Sequence, residues 1–448
     1  MRRSTLALAV FVVLGLAAST ACSNGPSSDE IGLVIRRVTS PSVTPTMVAT
    51  PTATPSGTCS LPLESDLADA AELASQLTLE QKVGQMMMIG VVGPSLDSLS
   101  RNAIRDYHFG NVALLGRNLE SIDAARTLTV ELQEMASEAN NGIGMLIAAD
   151  LEGGTVWRVP PGVPSFPSAA VLGAIGSPEI AEEAGGAVGN LALALGMNTD
   201  LAPVLDVNDN PANPVIGSRS YGIDPDSVAV IGGAFIRGLR CSGVVPVAKH
   251  FPGHGSTSGD PHELLPVVDD SIGQIRAVEL EPFRLAIESG LPAVMTAHVY
   301  YPALSGPAPM PATLSPEVIS GILREELRFG GVVLSDDFGM GAITQNFGIV
   351  DAAIRAVSAG VDIIVIAGPW DVTQEDLLDR EVTIHRGIVQ AVEDGRISRE
   401  VVDAAVARIL SLKLAFGVGS KEGQEEPELA IREIERVARL ISDANAAR

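Results

Sequence analysis

Eight short apolar runs recur along this chain, and most are separated by stretches with helical periodicity. The runs cover residues 85–91, 112–115, 145–149, 199–205, 244–248, 293–297, 332–334 and 362–367. Their length and β-branched content are those of buried strands. The intervening helical segments include 121–139, 178–195, 225–240, 272–289, 316–327 and 350–359. Ser177-Pro178, Asp224-Pro225 and Ser315-Pro316 each set a capping residue before a proline at the first helical position. Eight strands with helices between them point to an α/β fold, a single (β/α)8 TIM-type barrel over residues 61–420. An open doubly wound sheet is the competitor, but no G-x-G-x-x-G follows the first run, against its nucleotide-binding form. A composition of 46% hydrophobic and 19% charged residues suits the large core such a barrel needs.

The flanks are of a different kind. Arg2 and Arg3 precede an uncharged apolar run over 6–18, followed by Ser19, Thr20, Ala21 and Cys22. That order is a secretory signal over 1–22, too short for the roughly 20 residues of a membrane span. The small residues before Cys22 resemble a lipobox, with Ser19 where leucine is usual. The chain is thus expected to be exported, and anchored to the outer face of the cytoplasmic membrane through Cys22 or else released. Residues 23–60 are rich in Pro, Ser and Thr and read as an extended tether. A charged stretch and a helical tail, 421–448, close the chain and are expected to pack on the barrel or on a partner. Of three cysteines, Cys59 and Cys241 remain beside Cys22. A bridge between them and two free thiols are both compatible with the sequence.

Thirty basic against 54 acidic residues leave a formal charge of −24, which repels phosphate backbones and anionic lipid surfaces. Nucleic acid is therefore not an expected partner, membrane contact is expected only through a lipid anchor, and the oligomeric state stays open.

Chemistry concentrates where the strands end. The fifth run leads into KHFPGHGSTSGDPH, so Lys249, His250, His254, Asp260 and His262 fall in one Gly-rich loop that holds three of the six histidines. Other strand ends carry Arg117 and Asn118, Asp150 and Glu152 with Arg158 beyond, Asp206 with Arg219 in its loop, His298, and Asp336-Asp337. In a barrel these ends share one face, where catalytic groups gather. Glycoside hydrolysis needs a carboxylate on one side of the anomeric carbon and a proton donor on the other. Asp336 is placed as the nucleophile and His262 as the donor, with Asp260 to orient and stabilise its imidazole. Lys249, Arg158, Asp150 and Arg219 can grip sugar hydroxyls. A metal-dependent hydrolase is an alternative built on His250, His254, His262 and His298, although His250-Phe-Pro-Gly-His254 cannot form a helical ligand pair. A non-catalytic sugar-binding lipoprotein is another, and it leaves the Asp–His pair without a task.

The KHFPGHGSTSGDPH stretch resembles the signature of glycoside hydrolase family 3, in its β-N-acetylhexosaminidases of the NagZ type. Further matches follow in order: Gly116-Arg117-Asn118, DLEGGTVWR (150–158), LAPVLDVN (201–208), NPVIGSRSYG (213–222), MTAHVYYPAL (295–304) and LSPEVISGILREELRFGGVVLSDDFGM (314–340). The resemblance implies a retaining, exo-acting enzyme that releases terminal N-acetylglucosamine from cell-wall, muropeptide-type glycosides without metal or other cofactor. It implies Asp336 as the nucleophile, His262 with Asp260 as the general acid/base, and Asp150, Arg158, Arg219, Lys249 and His250 as sugar-binding residues. Ser256, Pro261, Leu151 and Thr155 depart from the usual pattern, and β-glucosidases and phosphate-using enzymes within the family remain alternatives. Pro261 between the dyad partners restricts the loop's backbone.

Overall fold

The computed structural model describes residues 64–369, 371–419 and 426–448. The expected export signal and tether, with Cys22 and Cys59, lie outside these residues, as does the charged stretch 421–425. Among the described residues no helix is long and apolar enough to cross a membrane.

Eight strands close into a barrel: β1 (Met87–Ile89), β2 (Asn111–Ala113), β3 (Leu146–Ala149), β4 (Thr199–Asp200), β5 (Val245–Phe251), β6 (Ala293–Thr296), β7 (Val332–Asp337) and β8 (Ile363–Ile366). Each runs parallel to its neighbours in the chain, and β8 pairs back onto β1 through Met87↔Ile364 and Ile89↔Ile366. Strands such as Ile363–Ile366 are apolar on both faces because one face meets the barrel interior and the other the helical ring. The two longest, β5 and β7, run on past the core and carry Lys249, His250, Asp336 and Asp337 to the rim.

The helices start where their caps stand. Ser177 accepts from the Ile180 amide and Asp224 from the Ser227 amide, each ahead of a proline. The helices they begin, Pro178–Ala194 and Pro225–Ser242, pack so closely that a Cβ on Gly185 would lie 2.2 Å from the Phe235 carbonyl oxygen. A Cβ on Gly238 would lie 2.1 Å from that of Glu182. Across the outside lies the C-terminal helix Pro427–Ala446, which buries Ala430, Ile434, Val437 and Ile441 against the helix Pro178–Ala194. Its Arg436 pairs with Glu183 at 2.7 Å. Of the two expectations for the tail, packing on the barrel is the one observed.

Several boundaries differ from those expected. The segment 272–289 is two helices, Ile272–Ala277 and Leu280–Glu288. Only Thr199–Asp200 of the fourth run forms regular strand, because Pro203 has no amide to give the ladder. After β3 the chain doubles back as a hairpin of Leu151–Gly153 and Val156–Trp157. Cys241 is disulfide-bonded, which removes the free-thiol alternative for that residue.

Candidate active site

The C-terminal ends of the strands surround a cavity of about 590 Å³. Asp150, Arg158, Arg219, Lys249, His250, His262 and Asp336 all line it. Asp260 stands behind His262, its Oδ1 2.7 Å from His262 Nδ1 and 2.9 Å from the His262 amide. The structure thus brings the residues singled out from the sequence to one place.

One wall is a buried charge network. Lys249 Nζ donates to Asp150 at 2.6 Å and lies 2.7 Å from Glu152 Oε1. Arg219 binds Glu152 bidentately, through Nε and Nη2, both at 2.8 Å. Burial opposes ionisation of Glu152, yet Lys249 and Arg219 outweigh it and hold the carboxyl down at about 2. Burial would likewise lower Lys249, but Asp150 and Glu152 keep it above its ordinary value. The arrangement presents a fixed ammonium, a fixed guanidinium and the partly exposed Asp150 to a ligand. Arg158 is exposed at the mouth, its backbone amide held by the Asp150 carbonyl at 3.0 Å.

A second buried carboxylate sets the imidazoles. Asp206 Oδ2 lies 2.7 Å from His250 Nδ1, while its Oδ1 accepts from the amides of His250 and His254 at 3.1 and 2.8 Å. His254 also lines the cavity, and burial with the neighbouring His250 lowers it to about 4, so it is neutral. Its Nδ1 lies 2.9 Å from Thr257 Oγ1.

Asp336 and Asp337 are neighbours with different environments. Asp337 accepts from the amides of Gly339 and Gly368, at 2.8 and 3.1 Å, and burial pushes it up to about 6. Burial also acts upward on Asp336, but His298, His250, the Asp337 amide and Lys249 bring it below the ordinary carboxylate value. An ionised Asp336 therefore faces the cavity while Asp337 ties β7 to the loop after β8. His298 is fully buried, between Thr313 Oγ1 at 2.9 Å and the Asp337 carbonyl at 3.2 Å, and supports β7 from behind. Trp157 stacks on Phe166 and donates to the Pro164 carbonyl, so it braces the loop after the hairpin.

Glu152, Asp206 and His254 stand among the strand-end and loop residues noted in the sequence, but the glycosidase reading gave them no role at the site. Glu152 had a signal: in extended chain Asp150 and Glu152 point the same way. Arg117, from the Gly-Arg-Asn motif, donates to the carbonyls of Val91, Ala367 and Pro369 and so sews the β1 and β8 loops together at the cavity's edge. Among the described residues no group of three or more His, Cys, Asp or Glu is arranged to hold a metal ion.

The glycosyl hydrolase family 3 N terminal domain matches residues 78–412. Beta-hexosaminidase LpqI of Mycobacterium tuberculosis is 33% identical over 369 residues, which cover 79% of this chain and 87% of that protein. Beta-hexosaminidase A of Pseudoalteromonas piscicida is also 33% identical, over 324 residues covering 69% of this chain and 54% of that longer protein. A solved family 3 beta-N-acetylglucosaminidase from Paenibacillus sp. str. FPU-7 superposes with a TM-score of 0.74 at 40% identity, over 81% of this chain and 68% of that one. With a closed barrel, an ionised aspartate and a carboxylate-paired histidine in one cavity, the chain belongs to glycosyl hydrolase family 3, as a glycoside hydrolase related to its β-hexosaminidases.

Proposed function

We propose that this protein releases terminal β-linked N-acetylglucosamine, with retention, from cell-wall, muropeptide-type glycosides. The observation that carries this reading is the pairing, in one cavity, of an ionised Asp336 with a His262 that is hydrogen-bonded to Asp260. The relatives named above, β-hexosaminidases and a β-N-acetylglucosaminidase, support the choice of sugar.

In the first step an Asp336 oxygen attacks the anomeric carbon and the bond to the leaving oxygen breaks. His262 gives that oxygen its proton, and the Asp260 carboxylate stabilises the imidazolium before the transfer. In the second step His262 takes a proton from water, the water oxygen attacks the anomeric carbon, and Asp336 leaves. Asp150, Lys249, Arg219, Arg158 and His250 hold the pyranose by its hydroxyls and acetamido group, fixing the carbon in line with Asp336. The signal over 1–22 and Cys22 favour action on the outer side of the cytoplasmic membrane, where cell-wall glycans lie.

The test is trapping. An activated 5-fluoro N-acetylglucosaminide should leave a glycosyl adduct on the peptide containing Asp336. Asp336→Asn should take up no label and turn over an aryl N-acetylglucosaminide about 10³-fold slower or worse. Unimpaired turnover by Asp336→Asn would overturn the assignment. A panel of aryl glycosides and a muropeptide disaccharide decides the sugar: faster release of glucose than of N-acetylglucosamine would overturn that part.

A further inference from the structure

The loop that carries His262 is anchored at both ends to neighbouring loops. At its start, Asn213 Nδ2 donates to the carbonyls of His254 and Gly255, and Asn210 Nδ2 to that of Thr257. At its far end, the Tyr300 amide donates to the Pro266 carbonyl and the Val268 amide to that of Tyr300. Between Thr257 and Pro266, the backbone hydrogen bonds to another element among the described residues come from a different quarter. The Gly341 amide donates to the His262 carbonyl at 3.1 Å, and the Ala342 amide to the Pro261 carbonyl at 2.9 Å.

Those two amides open the short helical turn Gly341–Thr344, which follows Asp336 and Asp337 by a few residues. The first amides of a helical turn have no acceptor within it, and here the dyad's own backbone supplies the acceptors. The contact leaves no room for a side chain: a Cβ on Gly341 would lie 2.4 Å from the His262 carbonyl oxygen. The backbone of Gly341 is not in the left-handed region, so its conformation suits any residue. Glycine stands at 341 for the approach of His262, with no conformational reason of its own.

We propose that Gly341 is a positioning residue for proton transfer: with the Ala342 amide it docks Pro261 and His262 onto the exit of β7, so that the strand bearing the nucleophile also registers the acid. This rests on the reading of His262 as the proton donor. Pro261, buried at the cavity wall with a fixed φ, makes the docked segment stiff enough to transmit the register. A methyl group at 341 displaces the His262 backbone and leaves Asp336 in place.

The experiment compares two N-acetylglucosaminides, one with a dinitrophenyl leaving group that needs no protonation and one with an alkyl or sugar leaving group that does. Gly341→Ala should lose about tenfold or more in kcat/KM on the second and less than about twofold on the first. A cooperative melting transition for each variant shows that the selectivity is read on folded protein. Gly348→Ala is the control, since a Cβ there would meet nothing within 4 Å. In a His262→Ala background Gly341→Ala should cost nothing more, because its effect passes through the missing imidazole. Pro261→Gly, which loosens the docked segment and leaves residues 341–344 unaltered in sequence, should show the same leaving-group selectivity. Equal losses on both glycosides, or full additivity in the double variant, would overturn the proposal. If His262→Ala alone lost equally on both, the acid assignment would fall, and the positioning role with it.

Discussion

Asp206 and His250 are joined twice, the carboxylate accepting from the His250 amide at 3.1 Å and meeting its Nδ1 at 2.7 Å. Burial opposes charge on Asp206, but His250 and the hydrogen bonds it makes hold the carboxyl below its ordinary value. A carboxylate has no proton to give, so His250 Nδ1 carries one and Nε2 is the atom left for the ligand. Asp206→Asn keeps the shape and presents an N–H to Nδ1, which inverts the tautomer. The expected result is a folded enzyme with kcat/KM reduced about 10- to 100-fold, the worth of one charge-assisted hydrogen bond of about 1.5–3 kcal/mol. Unchanged kinetics would mean that His250 does not contact the sugar.

Glu152 holds Arg219 and Lys249 at once, and its side chain is only 3% exposed. Glu152→Gln leaves those two cations with Asp150 as their remaining carboxylate partner. Removing one member of a buried ionic group costs about 3–5 kcal/mol, so denaturant unfolding should show a loss of that order, together with a raised KM. The folded carboxyl sits at about 2, below its ordinary 4.5, so its contribution is present above pH 4.5 and is lost as pH falls towards 2. Wild type and variant should therefore converge in acid. A stability loss below about 1 kcal/mol at neutral pH would show that water in the cavity compensates the cations.

The barrel was legible because its strands are continuous apolar runs, and a parallel sheet covered on both faces leaves no other pattern. All eight were placed, although β1 begins two residues later than expected because Gln85 closes the helix Leu79–Gln85. The convergence of Asp336, His262 and Lys249 was legible too, since each stands at a strand end or in the loop that leaves it. Glu152 and Asp206 were harder. Sequence shows that an acid stands at a strand end, but not whether its side chain turns to the ligand or back to a neighbouring cation. Gly341 was not legible at all. A glycine needed for close approach looks like any other until the carbonyl it meets, that of His262, is placed beside it.

Ser256 explains a departure from the family's pattern and leads to a pH effect. Its hydroxyl lies 2.8 Å from Asp209 Oδ1 and 2.6 Å from Glu279 Oε1, and one hydroxyl proton can serve only one of the two carboxyl groups. An acidic side chain at 256 would add a third carboxylate; serine instead completes a chain once Glu279 holds a proton. Burial pushes Glu279 up to about 7 against the Ser256 hydrogen bond, and Asp209 and Asp270 push the same way. Because the folded value exceeds the ordinary 4.5, the folded protein keeps a proton that the unfolded chain releases. Stability from this group is full below pH 4.5 and is lost as pH rises through about 7. At about 1.4 kcal/mol per pH unit the total is about 3 kcal/mol. Glu279→Gln keeps the uncharged form at every pH. It should match wild type near pH 4 and exceed it by up to about 3 kcal/mol at pH 8, read from denaturant melts. The same offset at both pH values would mean that packing, and not ionisation of Glu279, separates the two proteins.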